Sequence, residues 1–268
     1  MNNQITYRKP SGITAQGLRI WGLLFLAVGI VGQGIIQNKL LGDSQDMALM
    51  TAALVMRIVQ GCALPIFSFL LVEGLNHTTS VKNYLLRLAG LAVLAEIPYD
   101  LVMSGKVFNW YFQNPLWSMV LALVMLYLLK YYSGKGLKNI FINVLIVAVA
   151  WLWTRLVFPT NASDSATIFA IGESKTMLAE GTPIILITAT LWFTRKKKAW
   201  QIFAGSVVIV LVALITPNLV YMPYMGAPIA FLAIHFYNGE PGEGNRIVNY
   251  LAYPVILLAV GLIAVFAL

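Results

Sequence analysis

Apolar residues run along this chain in blocks of helix length, separated by short polar turns. Nine blocks stand out, near 17–36, 48–74, 81–103, 115–132, 138–156, 178–194, 199–216, 222–238 and 247–267. Each comes close to the roughly 20 residues that a helix needs to cross a hydrocarbon core about 30 Å thick. The second block carries Arg57, Gly61 and Pro65. It is long enough to be a short interfacial helix followed by a broken span, because proline removes a backbone hydrogen bond. The sixth is the weakest, since its start, from Glu173 to Gly181, is polar.

Composition turns these blocks into a fold class. Of the 268 residues 59% are apolar or aromatic and only 10% are charged, against about 25% charged in a soluble domain. A water-facing surface could not be covered. The expectation is an all-α, polytopic helical membrane protein with about nine transmembrane helices, within a range of eight to ten. No connection is long enough to hold a separate core, so residues 1–268 read as one integral membrane domain. Residues 1–16 are polar, and the first apolar block lacks an early small-x-small pattern, so it reads as a retained span. The single cysteine, Cys62, sits in an apolar block. That excludes an intramolecular disulfide and a cysteine-based metal site, and leaves packing as its role. We find no internal repeat and no low-complexity segment.

The net charge of +8 would suggest nucleic acid in a soluble protein, but here the basic residues fall in loops. A lipid bilayer is the expected partner and nucleic acid is not. With the N-terminus in the cytoplasm, Lys39, Arg57, Lys106, Arg155 and Lys175 lie toward the outer half, and the rest of the 18 Lys and Arg lie inside. That asymmetry predicts residues 1–16 in the cytoplasm and the C-terminus outside.

Five charged residues fall where lipid would surround them: Arg57, Glu73, Arg87, Glu96 and Asp100. Each costs about 2.5 to 3.5 kcal/mol on insertion, so each should face the bundle interior with a partner. Antiparallel second and third spans place Glu73 level with Arg87 and Arg57 level with Glu96 or Asp100, which predicts two cross-helix ion pairs. Glu96 and Asp100 are four apart and share a helix face. Such a constellation reads either as a polar site through the bundle or as a lock between two helices.

His77 follows the second span in the turn-rich stretch Glu73-Gly-Leu-Asn-His-Thr-Thr-Ser80, ahead of Lys82 and Arg87. Its imidazole could serve as general base, hydrogen-bond a phosphate, or simply cap a helix. His235, after Phe231, Leu232 and Ala233, reads as packing. No Ser-His-Asp spacing, His-Glu-x-x-His or glycine-rich phosphate loop is present, which removes soluble hydrolases, zinc proteases and nucleotide-dependent enzymes. No metal is expected. Arg195-Lys-Lys-Lys198 anchors a helix end to anionic headgroups or meets the phosphates of an acyl carrier.

From Arg57 to Leu101 the motifs follow one another in a specific order. They are Arg57, Ala63-Leu-Pro-Ile-Phe67, Leu71-Val-Glu-Gly74, His77-Thr78, Tyr84-Leu-Leu-Arg-Leu88 and Glu96-Ile-Pro-Tyr-Asp100. Weaker blocks follow at Gln113-Asn114 and at Tyr237-Asn-Gly-Glu240 with Gly242. In this order the chain resembles the TraX family, named for a conjugation protein that acetylates pilin. The resemblance implies a bundle like that of membrane acyltransferases in the bacterial cytoplasmic membrane. Acetyl-CoA is then the expected donor, and a peptide amine or a sugar the acceptor. Carried onto matching positions, it implies His77, Glu96 and Asp100 as catalytic residues. Arg57, Glu73, Lys82, Arg87, Gln113, Asn114, Tyr237 and Asn238 become donor- or substrate-binding residues, with Lys82 and Arg87 on the donor phosphates.

The departures are specific too. The family carries Asp-His late in the first span and Tyr-Pro-x-His near the C-terminus, where this chain has Gly29-Ile30 and Tyr253-Pro-Val-Ile256. A second arginine expected before the Ala-Phe-Pro stretch is Gly61. Three readings follow: an acyltransferase whose base is His77 or the Glu96 and Asp100 pair, a non-catalytic membrane binding or assembly component, and a solute transporter relaying protons through Glu96 and Asp100.

Overall fold

The computed structural model describes residues 11–41, 45–109, 113–156, 178–215 and 222–266. Helix boundaries follow local capping signals. Helix α1, Ala15–Val31, starts after Thr14, whose hydroxyl accepts the Gly17 N–H at 3.1 Å, and continues into a π-helical stretch, Gly32–Leu41. Asp46 caps α2, Met47–Gly61, through the N–H groups of Ala48 and Leu49. Ser80 caps α4, Val81–Ser104, which ends at Gly105 in the left-handed conformation that glycine tolerates. Asn114 caps α5, Pro115–Tyr131, whose first residue is a proline with no N–H to leave unpaired.

The long second block divides at Cys62, between α2 and α3, Ala63–His77. The expected break therefore falls at the start of the helix that carries Pro65. Pro65 falls in the first turn of α3, where its missing N–H has no intrahelical acceptor to lose. The rest of the chain forms α6, Leu137–Trp153, α7, Gly181–Thr194, and α8, Lys198–Ile215. A short 3₁₀ turn, Met222–Gly226, precedes α9, Pro228–His235, and α10, Arg246–Phe266, closes the chain.

No strand is present among the described residues. Three helical stretches are long and apolar enough to cross a membrane: Ala15–Leu41, Met47–His77 and Ile247–Phe266. Pro115–Tyr131, Leu137–Trp153, Gly181–Thr194 and Lys198–Leu214 are shorter apolar helices. Their outer faces carry exposed Ile140, Phe141, Val144, Phe203 and Val255, as a lipid-facing surface requires. The protein is thus an all-α helical membrane protein. Arg8, Lys9, Lys175 and the polar stretch from Glu173 up to residue 177, all used in the orientation argument, lie outside the described residues.

Two apolar clusters hold the bundle. The larger joins α3, α5, α7, α8 and α9 around Ile66, Leu123, Ile185 and Phe231. The smaller joins α1, α4 and α10 around Ile30, Tyr99, Tyr253 and Leu257. Cys62 is buried in the larger cluster, its thiol 3.4 Å from the Gly226 carbonyl, which is the packing role expected of it.

Contacts between elements define two ends. At the near end Gln16 and Asn249 exchange two amide hydrogen bonds of 2.8 Å, and Lys130 Nζ donates to the Leu75 carbonyl at 3.2 Å. There Ile13 pairs with the segment after α9, its N–H donating to Phe236 and its carbonyl accepting from Asn238. At the far end the loop before α5 pairs with the loop before α7, through Gln113 and Leu178.

Gly61 is where the 3₁₀ turn closes on α2. A Cβ there would stand 2.6 Å from the Pro223 carbonyl oxygen and 3.2 Å from Tyr224 Cα, both backbone atoms with no freedom to swing away. Gly61→Ala is therefore expected to lower the melting temperature in detergent, by roughly 1 to 3 kcal/mol of overpacking. Gly90→Ala, where nothing lies within 4 Å of the new methyl, should not.

Candidate functional site

The antiparallel second and third blocks meet near their connection, where Tyr84 lies against Gly74, and each packs mainly on other helices. α4 packs on α10, α5 and the π-helical stretch, while α3 packs on α1, α5 and α7. Between them lies a cavity of about 1400 Å³, walled by α1, α2, α3, α4, α5 and α10. It exceeds the roughly 300 to 1,000 Å³ of ordinary small-ligand sites.

The cavity is polar at both ends and apolar between. Arg19, His77, Tyr84, Arg87 and Asn249 line the near end. Arg19 is aimed by Gln16, whose Oε1 accepts from its Nη1 at 2.7 Å while the same amide holds Asn249. Arg19 and Arg87 both lie within electrostatic reach of the Tyr84 hydroxyl. His77 is 71% exposed at this mouth, its Nε2 3.9 Å from Glu73 one turn earlier on α3. Leu23, Leu70, Leu88, Leu91 and Met119 form the apolar middle. Gln33, Arg57, Gln60, Glu180 and Tyr253 line the far end, where Glu180 lies within electrostatic reach of Arg57.

The expected site residues divide accordingly. Arg57, His77 and Arg87 line the cavity, and Glu73 stands beside His77. Lys82 is exposed on the first turn of α4 and does not line it. Glu96 and Asp100 are buried behind the wall, at 6% and 2% exposure. Glu96 Oε2 accepts from the Asn114 side chain and, at 3.0 Å, from Trp117 Nε1. Asn114 also donates to the Ala92 carbonyl at 2.8 Å, so one amide ties α4 to α5. Asp100 Oδ2 accepts the Asn109 N–H at 2.7 Å and fixes the connection that follows α4.

Gln113 lies outside the cavity lining and accepts the Ala179 N–H on its backbone carbonyl at 3.2 Å. Tyr237 meets Phe69 edge-on at 5.2 Å, and its carbonyl accepts from Lys198 Nζ at 3.0 Å. Asn238 Oδ1 accepts the Glu240 N–H at 3.0 Å and shapes that turn. None of Arg195, Lys196, Lys197 or Lys198 lines the cavity; Arg195 folds over the Trp192 ring, 3.6 Å from its centroid.

Two expectations need correcting. Neither Glu73 with Arg87 nor Arg57 with Glu96 or Asp100 forms an ion pair within 4.0 Å; among the described residues the close contact of a carboxylate with a basic side chain is Glu73 with His77. The cavity separates the helices that were to be paired. Arg57 lies within electrostatic reach of Glu180, and Glu96 receives amide and indole N–H groups on Oε2 while its buried Oε1 has no hydrogen-bond partner among the described residues. Sequence reasoning also missed Arg19, Tyr84, Gln33, Gln60 and Glu180. The two glutamines were visible as lone amides in apolar runs, whereas Glu180 sits in the polar stretch that made the sixth block weak.

A family model described as TraX protein matches residues 37–264, most of the chain. The chain belongs to the TraX family. No curated protein and no solved structure matches it. In this TraX-family chain Ile30 is buried in the smaller apolar cluster and Ile256 packs against the same cluster. The two positions aligned with the histidines of the family pattern thus border one apolar cluster. Among the described residues no group of three His, Cys, Asp or Glu could hold a metal ion.

The Glu96 knot has a measurable consequence. Asn114→Ala removes a bond to a buried carboxylate, the tie to Ala92 and the α5 cap together, so a loss of about 2 to 4 kcal/mol is expected on thermal melting. Trp117→Phe removes one bond and should cost about 1 to 2 kcal/mol.

Proposed function

We propose that this TraX-family protein is an integral-membrane acyltransferase that takes an acyl group, acetyl in the simplest case, from acyl-CoA and passes it to an amine or hydroxyl. The observation that carries the reading is the cavity's layout, with two arginines and a histidine at one end, an apolar middle and a second polar end. Coenzyme A has the matching order of parts: phosphates, an extended arm and a thioester. Arg19 and Arg87 would hold phosphates by charge-assisted hydrogen bonds, and His77 would add a third donor. From His77 to Ala63 α3 rises about 21 Å at 1.5 Å per residue, so an arm laid along it carries the thioester away from the mouth.

On this reading the near end faces the cytoplasm of a bacterial cell, the nine apolar blocks all cross the inner membrane, and the C-terminus lies outside. His77, placed near the thioester by sequence reasoning, moves to the phosphates. Glu96 and Asp100 become positioning residues that hold α4 against α5 and against its own following loop. The acceptor, a peptide amine or a sugar hydroxyl, meets the thioester at the Arg57 end.

A second reading has its own support. Ile30 and Ile256 fill with hydrocarbon the place where the family pattern puts two histidines. A binding or assembly component that keeps the donor pocket without turnover would look the same there.

Thermal melting with acetyl-CoA tests the donor site first. Acetyl-CoA should raise the melting temperature saturably. Arg87→Gln and Arg19→Gln should each weaken binding by about 10- to 100-fold, the worth of one charged hydrogen bond. Absence of any shift in folded protein removes the acyl-CoA site. Transfer of labelled acetyl to membrane acceptors then separates the catalytic from the binding reading.

A further inference from the structure

Glu180 is held in a conformation that its residue type disfavours. Its φ is 56°, and it is the non-glycine residue with positive φ among the described residues. The chain turns here, with the Gly181 N–H donating to the Leu178 carbonyl at 3.3 Å. A turn with a left-handed third residue ordinarily takes glycine or asparagine.

Neighbouring elements fix the turn. Gln113 accepts the Ala179 N–H, Ser118 Oγ donates to the Ala179 carbonyl at 2.6 Å, and Gly181 lies against the Thr154 side chain with no room for a Cβ. Two separate parts of the chain, residues 113–118 and Thr154, therefore hold one strained residue, and the side chain so held lines the far end of the cavity within electrostatic reach of Arg57. Strain that the surroundings over-determine points to function. Glu180 is also the one carboxylate among the described residues that line the cavity. His77, the one imidazole among the described residues that line the cavity, is at the near end.

From this geometry we infer that Glu180 is the proton acceptor for the acyl-transfer step and that Arg57 faces the oxyanion. The inference rests on the acyl-transfer reading. As the acceptor nitrogen or oxygen bonds to the thioester carbonyl carbon, its proton passes to the Glu180 carboxylate and the carbonyl π electrons move to oxygen, opposite Arg57. Collapse re-forms the carbonyl and breaks the carbon–sulfur bond. The departing thiolate takes the proton from Glu180, leaving an amide or ester, free CoA thiol and the carboxylate restored. Gln113 and Ser118 are positioning residues for this step, which gives the Gln113 motif a role through its backbone.

Two measurements on the full detergent-purified chain test it. Dicyclohexylcarbodiimide, an apolar carboxyl reagent, should label Glu180, and acetyl-CoA should suppress that labelling at least fivefold. Adenosine 3′,5′-bisphosphate, which lacks the arm, should leave it unchanged. No label at Glu180, or a label indifferent to acetyl-CoA in protein that acetyl-CoA stabilises, overturns the assignment.

Release of free thiol from acetyl-CoA is then followed with water, hydroxylamine and glycinamide as probe acceptors. Glu180→Gln and Glu180→Gly should keep the acetyl-CoA melting shift yet lose at least 100-fold in rate, and Glu180→Gly should melt no lower than the parent because glycine suits that φ. A Glu180→Gln rate within fivefold of the parent overturns the role of Glu180 and leaves acyl transfer standing. Parent protein that binds acetyl-CoA but releases no thiol to any probe overturns the transfer reading, and the role of Glu180 with it.

Discussion

A polar side chain on a helix surrounded by lipid has two favourable destinations, a partner inside the protein or a space that admits water or ligand. The interior of this bundle is shaped by that constraint. Glu96, Asp100 and Asn114 take the first course, each bonded to backbone or to an indole or amide N–H. Arg19, Arg57, Arg87 and Glu180 take the second and line one cavity. The first group makes the second stable. Asn114 fastens α5 to α4 on one side of the cavity, and Gln113, its neighbour, fastens the turn that carries Glu180.

What the sequence made legible follows the same division. Hydropathy placed the helices closely, and Thr14, Asp46, Ser80 and Asn114 fix four of the helix starts within their own first turn. Arg57, His77 and Arg87 were found because charge in an apolar run is conspicuous. Their partners were misjudged because level along the membrane fixes height and not direction. Glu96 shares a depth range with Arg57 but points into the α4–α5 contact, and α4 packs mainly on α10 and α5. Glu180 was illegible for a different reason. It lies where a polar stretch meets an apolar helix, where one glutamate is unremarkable, and only the turn geometry singles it out.

The loss of two histidines looks different once the positions are seen together. Two independent losses in separate places would suggest general decay of a site. Ile30 and Ile256 instead belong to one apolar cluster with Tyr99, Tyr253 and Leu257, and an isolated histidine among these would be a buried polar group without an evident partner. Replacing both by isoleucine is therefore a single coherent change, which seals α1 against α4 and α10. It leaves the cavity's polar ends untouched, since neither isoleucine lines it. The chemistry that such a cavity supports must then be carried by the groups that remain in it, and at the end away from the phosphate-sized cluster of arginines the one carboxylate available is Glu180.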